Sequence, residues 1–271
     1  MLTCGRFDFA LDRPLVMGIV NVTPDSFSDG GRHADPARAI AHGLKLRDAG
    51  AAILDIGGES TRPGAAPVDE AEELRRVLPV IEGLRDCGAA LSIDTMKPAV
   101  MAAALAAGAD MVNDVNALRA PGALEAVANT RCAICLMHMR GTPATMQQAP
   151  RYDDVVAEVR DFLRARLDAA HAAGIAPARL VCDPGFGFGK TAAHNRVLFR
   201  ALPRLAELAP VLVGLSRKSL FGGSAGRPVS GVAASVAAAA LAVARGAAIV
   251  RAHDVAETVE AIAVARRLAG G

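Results

Sequence analysis

Eight short β-type runs alternate with longer helix-type stretches, and this alternation restricts the possible folds more than any other feature of the chain. The runs cover 15–20, 52–56, 90–94, 111–113, 133–137, 180–183, 211–215 and 248–251. The helical stretches cover 36–49, 69–85, 98–107, 122–128, 152–173, 194–208, 231–245 and 255–268. A strand followed by a helix, eight times over, predicts a parallel sheet, and eight strands are the number that closes into a (β/α)8 TIM barrel. An open doubly wound sheet is the structural competitor. No linker or composition break divides the 271 residues into two halves, so the expected architecture is one barrel domain spanning 1–271. Residues 1–14 lie outside the alternation, and a small hairpin plugging the amino end of the barrel suits them.

The helix boundaries have local causes. Asp35 before Pro36 offers an N-cap followed by proline at the first helical position, and Lys97-Pro98 gives a similar start. Gly108 follows a helix where the chain must take a left-handed turn, which costs glycine no Cβ clash.

Composition narrows the functional classes. With 52% hydrophobic and 21% charged residues the chain is an ordered globular protein. Tryptophan is absent and Tyr152 is the single tyrosine, so Ala, Val, Leu and Ile must fill the core. A formal charge of +2 argues against nucleic acid as a partner. Five scattered cysteines do not make a disulfide framework. The first residues lack the order of a signal peptide, and the weakly polar run 231–244 is too short to span a bilayer. A cytoplasmic protein with no membrane contact is expected.

Polar residues gather at one end of the strands. The first run leads to Asn21, the second into Asp55, and the third ends in Asp94. Asn113-Asp114 closes the fourth, His138 follows the fifth, and Asp183 the sixth. Ser216-Arg217-Lys218-Ser219 follows the seventh, and Arg251-Ala252-His253-Asp254 the eighth. Singly, each has a bland explanation: Asp254 reads as a cap for the last helix and Asp114 as a turn residue. Their recurrence at the carboxyl ends, where barrel enzymes build their sites, argues for a ligand site. Asp94, Asn113 and Asp183 suit a flat, donor-rich heterocycle such as an aminopyrimidine-type ring, with Lys218 within reach of a ring nitrogen or oxygen. Asn21, Arg251 and His253 suit an anion such as a phosphate, with a hard metal ion.

Other motifs fail on inspection. Gly189-Lys190-Thr191 mimics the end of a P-loop, but Pro184 stands where its first glycine belongs. Cys132 and Cys135 make a C-x-x-C on a strand, where residues three apart face opposite sides. His33, His42, His171 and His194 have surface or helical contexts and read as structural.

The segments NVTPDSFSDGG from Asn21, DIGGESTRPGA from Asp55, SIDT from Ser92 and NDV from Asn113 resemble the dihydropteroate synthase family. So do CLMHMRGTPATMQ from Cys135, DPGFGFGKT from Asp183, SRKS from Ser216 and RAHDV from Arg251, in the family's order and over nearly the whole chain. The resemblance implies a folate-biosynthesis transferase that joins 4-aminobenzoate to 7,8-dihydropterin-6-ylmethyl diphosphate, releasing diphosphate by an SN1-like path. It implies that Asp94, Asn113, Asp183 and Lys218 hold the pterin and that Asn21 binds a magnesium ion. Arg251 and His253 are expected at the diphosphate, and Thr61 and Arg62 at the diphosphate or the aminobenzoate. Phe188, Lys218 and Ser219 are expected to shape the aminobenzoate pocket, with Phe27 and Pro63 closing over it and Asp29 assisting at the reacting centre. A homodimer is the family's usual state. Two features depart from the family: the segment after SRKS is short and lacks the family's usual arginine just before the seventh helix, and Ala252 replaces a bulkier apolar residue. The rival readings are a pterin-dependent methyltransferase domain and a catalytically silent pterin-binding protein.

Overall fold

The structure is a computed structural model that describes residues 1–23, 35–60, 65–218, 223–224, 227–228 and 231–268. Two short strands open the chain, β1 (Leu2–Cys4) and β2 (Phe7–Phe9). The repeating part follows as β3 (Leu15–Asn21), α1 (Pro36–Asp48), β4 (Ile53–Gly57), α2 (Glu70–Leu84), β5 (Ala90–Asp94), α3 (Pro98–Ala107) and β6 (Met111–Asp114). It continues with α4 (Ala123–Ala128), β7 (Ala133–Met137), α5 (Val155–Ala172), β8 (Leu180–Asp183), α6 (Ala192–Arg200), α7 (Leu202–Ala206) and β9 (Val211–Gly214). A two-residue ribbon, β10 (Gly223–Ser224) and β11 (Arg227–Pro228), precedes α8 (Val232–Val243), β12 (Ala247–Ala252) and α9 (Val255–Leu268). Strands β3 to β9 and β12 close into a barrel in which every neighbouring pair is parallel, β12 lying between β9 and β3.

Closure splits the apolar residues into two layers. Alternate strand residues point outward to the helices, where Val16, Leu54, Ile56, Leu91, Ile93 and Val112 meet Val77, Ile81, Met101 and Leu163. The others point into the barrel, where Met17, Ile53, Met111, Cys135, Val181, Leu212 and Ile249 pack as a solid core. Cys132 belongs to the outer layer and Cys135 to the inner one, so the C-x-x-C straddles a strand. All five cysteines are free. No helix among the described residues is long and apolar enough to cross a membrane.

The caps behave as local chemistry dictates. Asp35 accepts hydrogen bonds from the N–H groups of Ala37 and Arg38. Gly108 closes α3 with φ of 118°. The stretch read as one helix over 194–208 is instead two, α6 and α7, hinged at Ala201. Pro203 has no N–H to continue the helical ladder, and its ring conflicts with the preceding turn's carbonyl.

The β1–β2 hairpin seals the amino end, with Leu2 and Cys4 completing the inner core. Arg6 at its turn donates from Nε and Nη2 to both oxygens of Asp110, which is 1% exposed and also accepts the Leu91 N–H. Arg6 also donates to the carbonyl oxygens of Arg85 and Gly108. Removing it leaves a buried carboxylate without its cation. Arg6→Ala is therefore expected to lower folding stability by about 2 kcal/mol, below the ~3–5 of a fully buried pair because the Arg6 side chain is 40% exposed. Urea unfolding measures this, and an unchanged midpoint would show that the pair does not hold the plug.

Candidate active site

Barrel geometry brings the strand-end residues of distant segments to one face. Asp94 of β5 and Asn113 of β6 are register partners, and Gly57 of β4 lies opposite both Asn21 and Asp94. In β4, β6, β8 and β12 the polar group stands two residues beyond an apolar inner residue, Asp55 after Ile53, Asn113 after Met111, Asp183 after Val181 and Arg251 after Ile249, so these groups rim the mouth together.

Arg251 organises the rim. Its Nε donates to Asp55 Oδ2 at 2.5 Å and its Nη2 to Asp94 Oδ2 at 2.8 Å. Asn113 Nδ2 donates to the same Asp55 oxygen at 3.0 Å. Asp55 is fully buried, and its Oδ1, like Ser92 Oγ, lacks a hydrogen-bond partner among the described residues. Burial raises the Asp94 carboxyl, while Arg251 opposes the shift and Asp55, Glu73 and Asp114 add to it. The guanidinium thus holds two carboxylates close together that would otherwise repel.

Asp183 and Lys218 are neighbours at the mouth, the one ending β8 and the other following the adjacent strand β9. Burial raises Asp183; the Gly185 N–H, which donates to its Oδ1 at 2.7 Å, and the Lys218 charge oppose this. Lys218 Nζ donates to the Phe186 carbonyl oxygen at 3.0 Å and lies 4.9 Å from the centre of the Phe188 ring. Burial pushes its ammonium down to about 8, with Asp183 pulling upward and Arg251 pushing further down. The turn carrying Lys218 is strained: Arg217 has φ of +56°, rare for a residue with a Cβ. Its N–H donates to Ser235 Oγ and its guanidinium forks onto Asp254 at 2.5 and 3.1 Å. The Asp254 carboxylate, expected to cap α9, is thus the clamp of the lysine turn. Next to it His253 pairs with Ser216, Nδ1 to Oγ at 3.0 Å.

Of the expected site residues, Asn21, Asp94, Asn113, Asp183, Lys218, Arg251 and His253 stand on this one face, with Phe188 beneath Lys218. Phe27, Asp29, Thr61, Arg62, Pro63 and Ser219 lie outside the described residues. Asp55 and Ser92 were given no role from sequence, although a carboxylate inside the apolar run Ile53-Leu54-Asp55-Ile56 is a signal in its own right. Asp114 is a turn residue, accepting the N–H groups of Asn116 and Leu118. His194 has partners, closing a capping box with Thr191 and stacking edgewise on Tyr152.

A closed barrel that gathers buried carboxylates, an amide and two cations at the carboxyl ends of its strands has the architecture of a barrel enzyme. The chain belongs to the pterin-binding enzymes: the family model described as "Pterin binding enzyme" matches residues 17–253. Within that class it belongs to the dihydropteroate synthase family. It is 50% identical to the dihydropteroate synthase of Escherichia coli (strain K12) over 260 residues, covering 94% of this chain and 91% of the relative. The crystal structure of Burkholderia cenocepacia dihydropteroate synthase complexed with 7,8-dihydropteroate superposes with a TM-score of 0.90 at 50% identity, covering 99% of this chain and 96% of that one. The Xanthomonas albilineans enzyme with 4-aminobenzoic acid gives 0.89 at 59% identity, covering 96% and 95%.

A lysine whose folded-state value lies below 10.5 costs stability while charged, and that cost fades as pH rises from about 8 toward 10.5. Lys218→Met is therefore expected to gain stability relative to wild type at pH 7 and to lose the advantage across that window. Denaturation midpoints of both proteins from pH 7 to 10.5 test this, and a pH-independent difference would refute it.

Proposed function

We propose that this chain is a transferase of folate biosynthesis that joins 4-aminobenzoate to 7,8-dihydropterin-6-ylmethyl diphosphate, releasing diphosphate and forming 7,8-dihydropteroate. The carrying observation is the Arg251 bridge between Asp55 and Asp94, beside Asn113, Asp183 and Lys218. These acceptors match the adjacent N–H groups of a pterin, and Lys218 supplies a donor to its oxygen or nitrogen. Arg251 uses two of its five N–H groups on Asp55 and Asp94, so it can also meet an anion, and His253 stands beyond it on the same strand end. These two would take the diphosphate, with Thr61 and Arg62 contacting the diphosphate or the aminobenzoate.

An aromatic amine is nucleophilic when neutral, so the site needs no strong general base. The difficult event is departure of diphosphate from the methylene carbon. Arg251 and His253 stabilise the charge collecting on the leaving group. Asp94 stabilises positive charge spreading into the pterin ring, which favours an SN1-like path. Asp29, between β3 and α1 in the sequence, would assist at the reacting centre. Phe27, Pro63, Phe188 and Ser219 would enclose the aminobenzoate and exclude the competing water.

We assign magnesium to this site, with Asn21 as its protein ligand. The Asn21 amide offers a hard oxygen at the strand end, which fits magnesium, an ion that takes few protein oxygens and completes its shell with substrate phosphates and water. When bound, the ion would supply positive charge against the diphosphate oxygens. We place the enzyme in the cytoplasm, whose reducing conditions agree with five free cysteines. We also assign it a homodimer through α8 and α9, which pack on each other and leave Leu241 52% and Val264 55% exposed. Light scattering that gives a monomer mass would remove that assignment.

Incubation with 4-aminobenzoate, the pterin diphosphate and magnesium should yield dihydropteroate. Pterin binding without product would favour a silent pterin-binding protein, and methyl transfer would favour the methyltransferase rival. Asp94→Ala should weaken pterin binding about 10- to 100-fold, the worth of hydrogen bonds to a charged group. Wild-type affinity in calorimetry would refute the pterin assignment.

A further inference from the structure

The Gly189-Lys190-Thr191 triplet that imitates a P-loop does different work. Thr191 caps α6. Lys190 points inward and is only 3% exposed, which is rare for a lysine without a carboxylate bonded to it. Its ammonium donates to the carbonyl oxygen of Gly185 at 2.9 Å and of Phe188 at 3.1 Å, and pairs with His138 Nδ1 at 2.9 Å. Burial pushes His138 down to about 2, so its ring is neutral and Nδ1 accepts, and it pushes Lys190 down to about 7 against the pull of Asp183.

The loop around the Lys190 amine cannot form from ordinary residues. Gly185, Gly187 and Gly189 have φ of 69°, 83° and 67°. A Cβ at Gly185 would run into the His138 carbonyl oxygen, and one at Gly189 would lie 2.6 Å from the Arg140 carbonyl oxygen. The carbonyls of Gly185 and Phe188 turn inward on Lys190, while the outer wall of the loop faces Lys218. That wall offers the Phe186 carbonyl oxygen and the Phe188 ring, both of which hold Lys218.

We propose that Lys190 is a positioning residue: it folds the 185–189 loop around its ammonium and thereby sets Lys218 in the pterin pocket and Phe188 beside it. No contact of Lys190 with substrate is required. The inference rests on the assignment of Lys218 to the pterin.

The test is a double-mutant cycle read by calorimetric binding of 7,8-dihydropterin-6-ylmethyl diphosphate with magnesium and without 4-aminobenzoate, on the full chain. Lys190→Met and Lys218→Met should each weaken binding about tenfold or more. The double variant should bind no more weakly than Lys218→Met alone, since a residue acting through Lys218 has nothing left to position. Losses that multiply, as a merely structural role would give, overturn the inference. So does wild-type affinity in Lys190→Met while Lys218→Met is impaired. Intact affinity in Lys218→Met overturns the pterin assignment and this inference together. Should Lys190→Met fail to fold, Lys190→Gln, whose amide can still donate to both carbonyls, replaces it: its affinity should lie between wild type and Lys218→Met, and its loss should likewise vanish in the Lys218→Met background. A loss that persists there counts against Lys190.

Discussion

The mouth of the barrel depends on one guanidinium. Arg251 lies on β12, whose sheet neighbours are β3 and β9, yet its hydrogen bonds go across to β4 and β5. Two acids placed this close and this deep would otherwise protonate or repel, because burial disfavours the charged form and so does a like charge. A buried ion pair contributes little net stability compared with apolar packing, since desolvation offsets the attraction. What it supplies is arrangement: Asp55 is held by Arg251 and Asn113, and Asp94 is held by Arg251 through one oxygen.

Around this centre the protein accepts local strain and holds it with polar anchors. Arg217 is kept in a left-handed conformation by Asp254 and Ser235, and the 185–189 loop is gathered on Lys190. A third anchor joins Lys97 to Glu59 and to the buried Glu73, tying the segment after β4 to α2 and to the start of α3. Strain of this kind persists only where the surroundings over-determine it. Here they do, because the barrel below is a solid plug of Met17, Ile53, Met111 and Leu212 that does not shift to relieve the rim.

Much of the barrel was legible. The eight strands fall within two residues of their expected bounds at each end, and the helices after Asp35 and Lys97 begin where proline permits. The exception at Ala201 has a local cause, Pro203, which was readable and not weighed. The rim was legible as a set of residue types, but its partnerships were not. Asp254 looked like a cap and holds Arg217; Arg251 looked like an anion ligand alone and also binds two carboxylates; Lys190 looked like a failed nucleotide motif and organises a loop.

Strand periodicity, helix caps and family motifs are properties of short stretches, and short-range sterics and hydrogen bonding are enough to settle them. The pairing of side chains is of another kind. Arg251 meets Asp55 across 196 positions of sequence and Asp94 across 157, and Lys218 meets Phe186 across 32. Such contacts exist because parallel strands close through a fixed register and stagger, which places each carboxyl end at a set height and angle around the axis. A one-residue slip would turn every one of these groups to the opposite face. The inventory of the site was thus written along the chain, and its wiring came from closing the sheet.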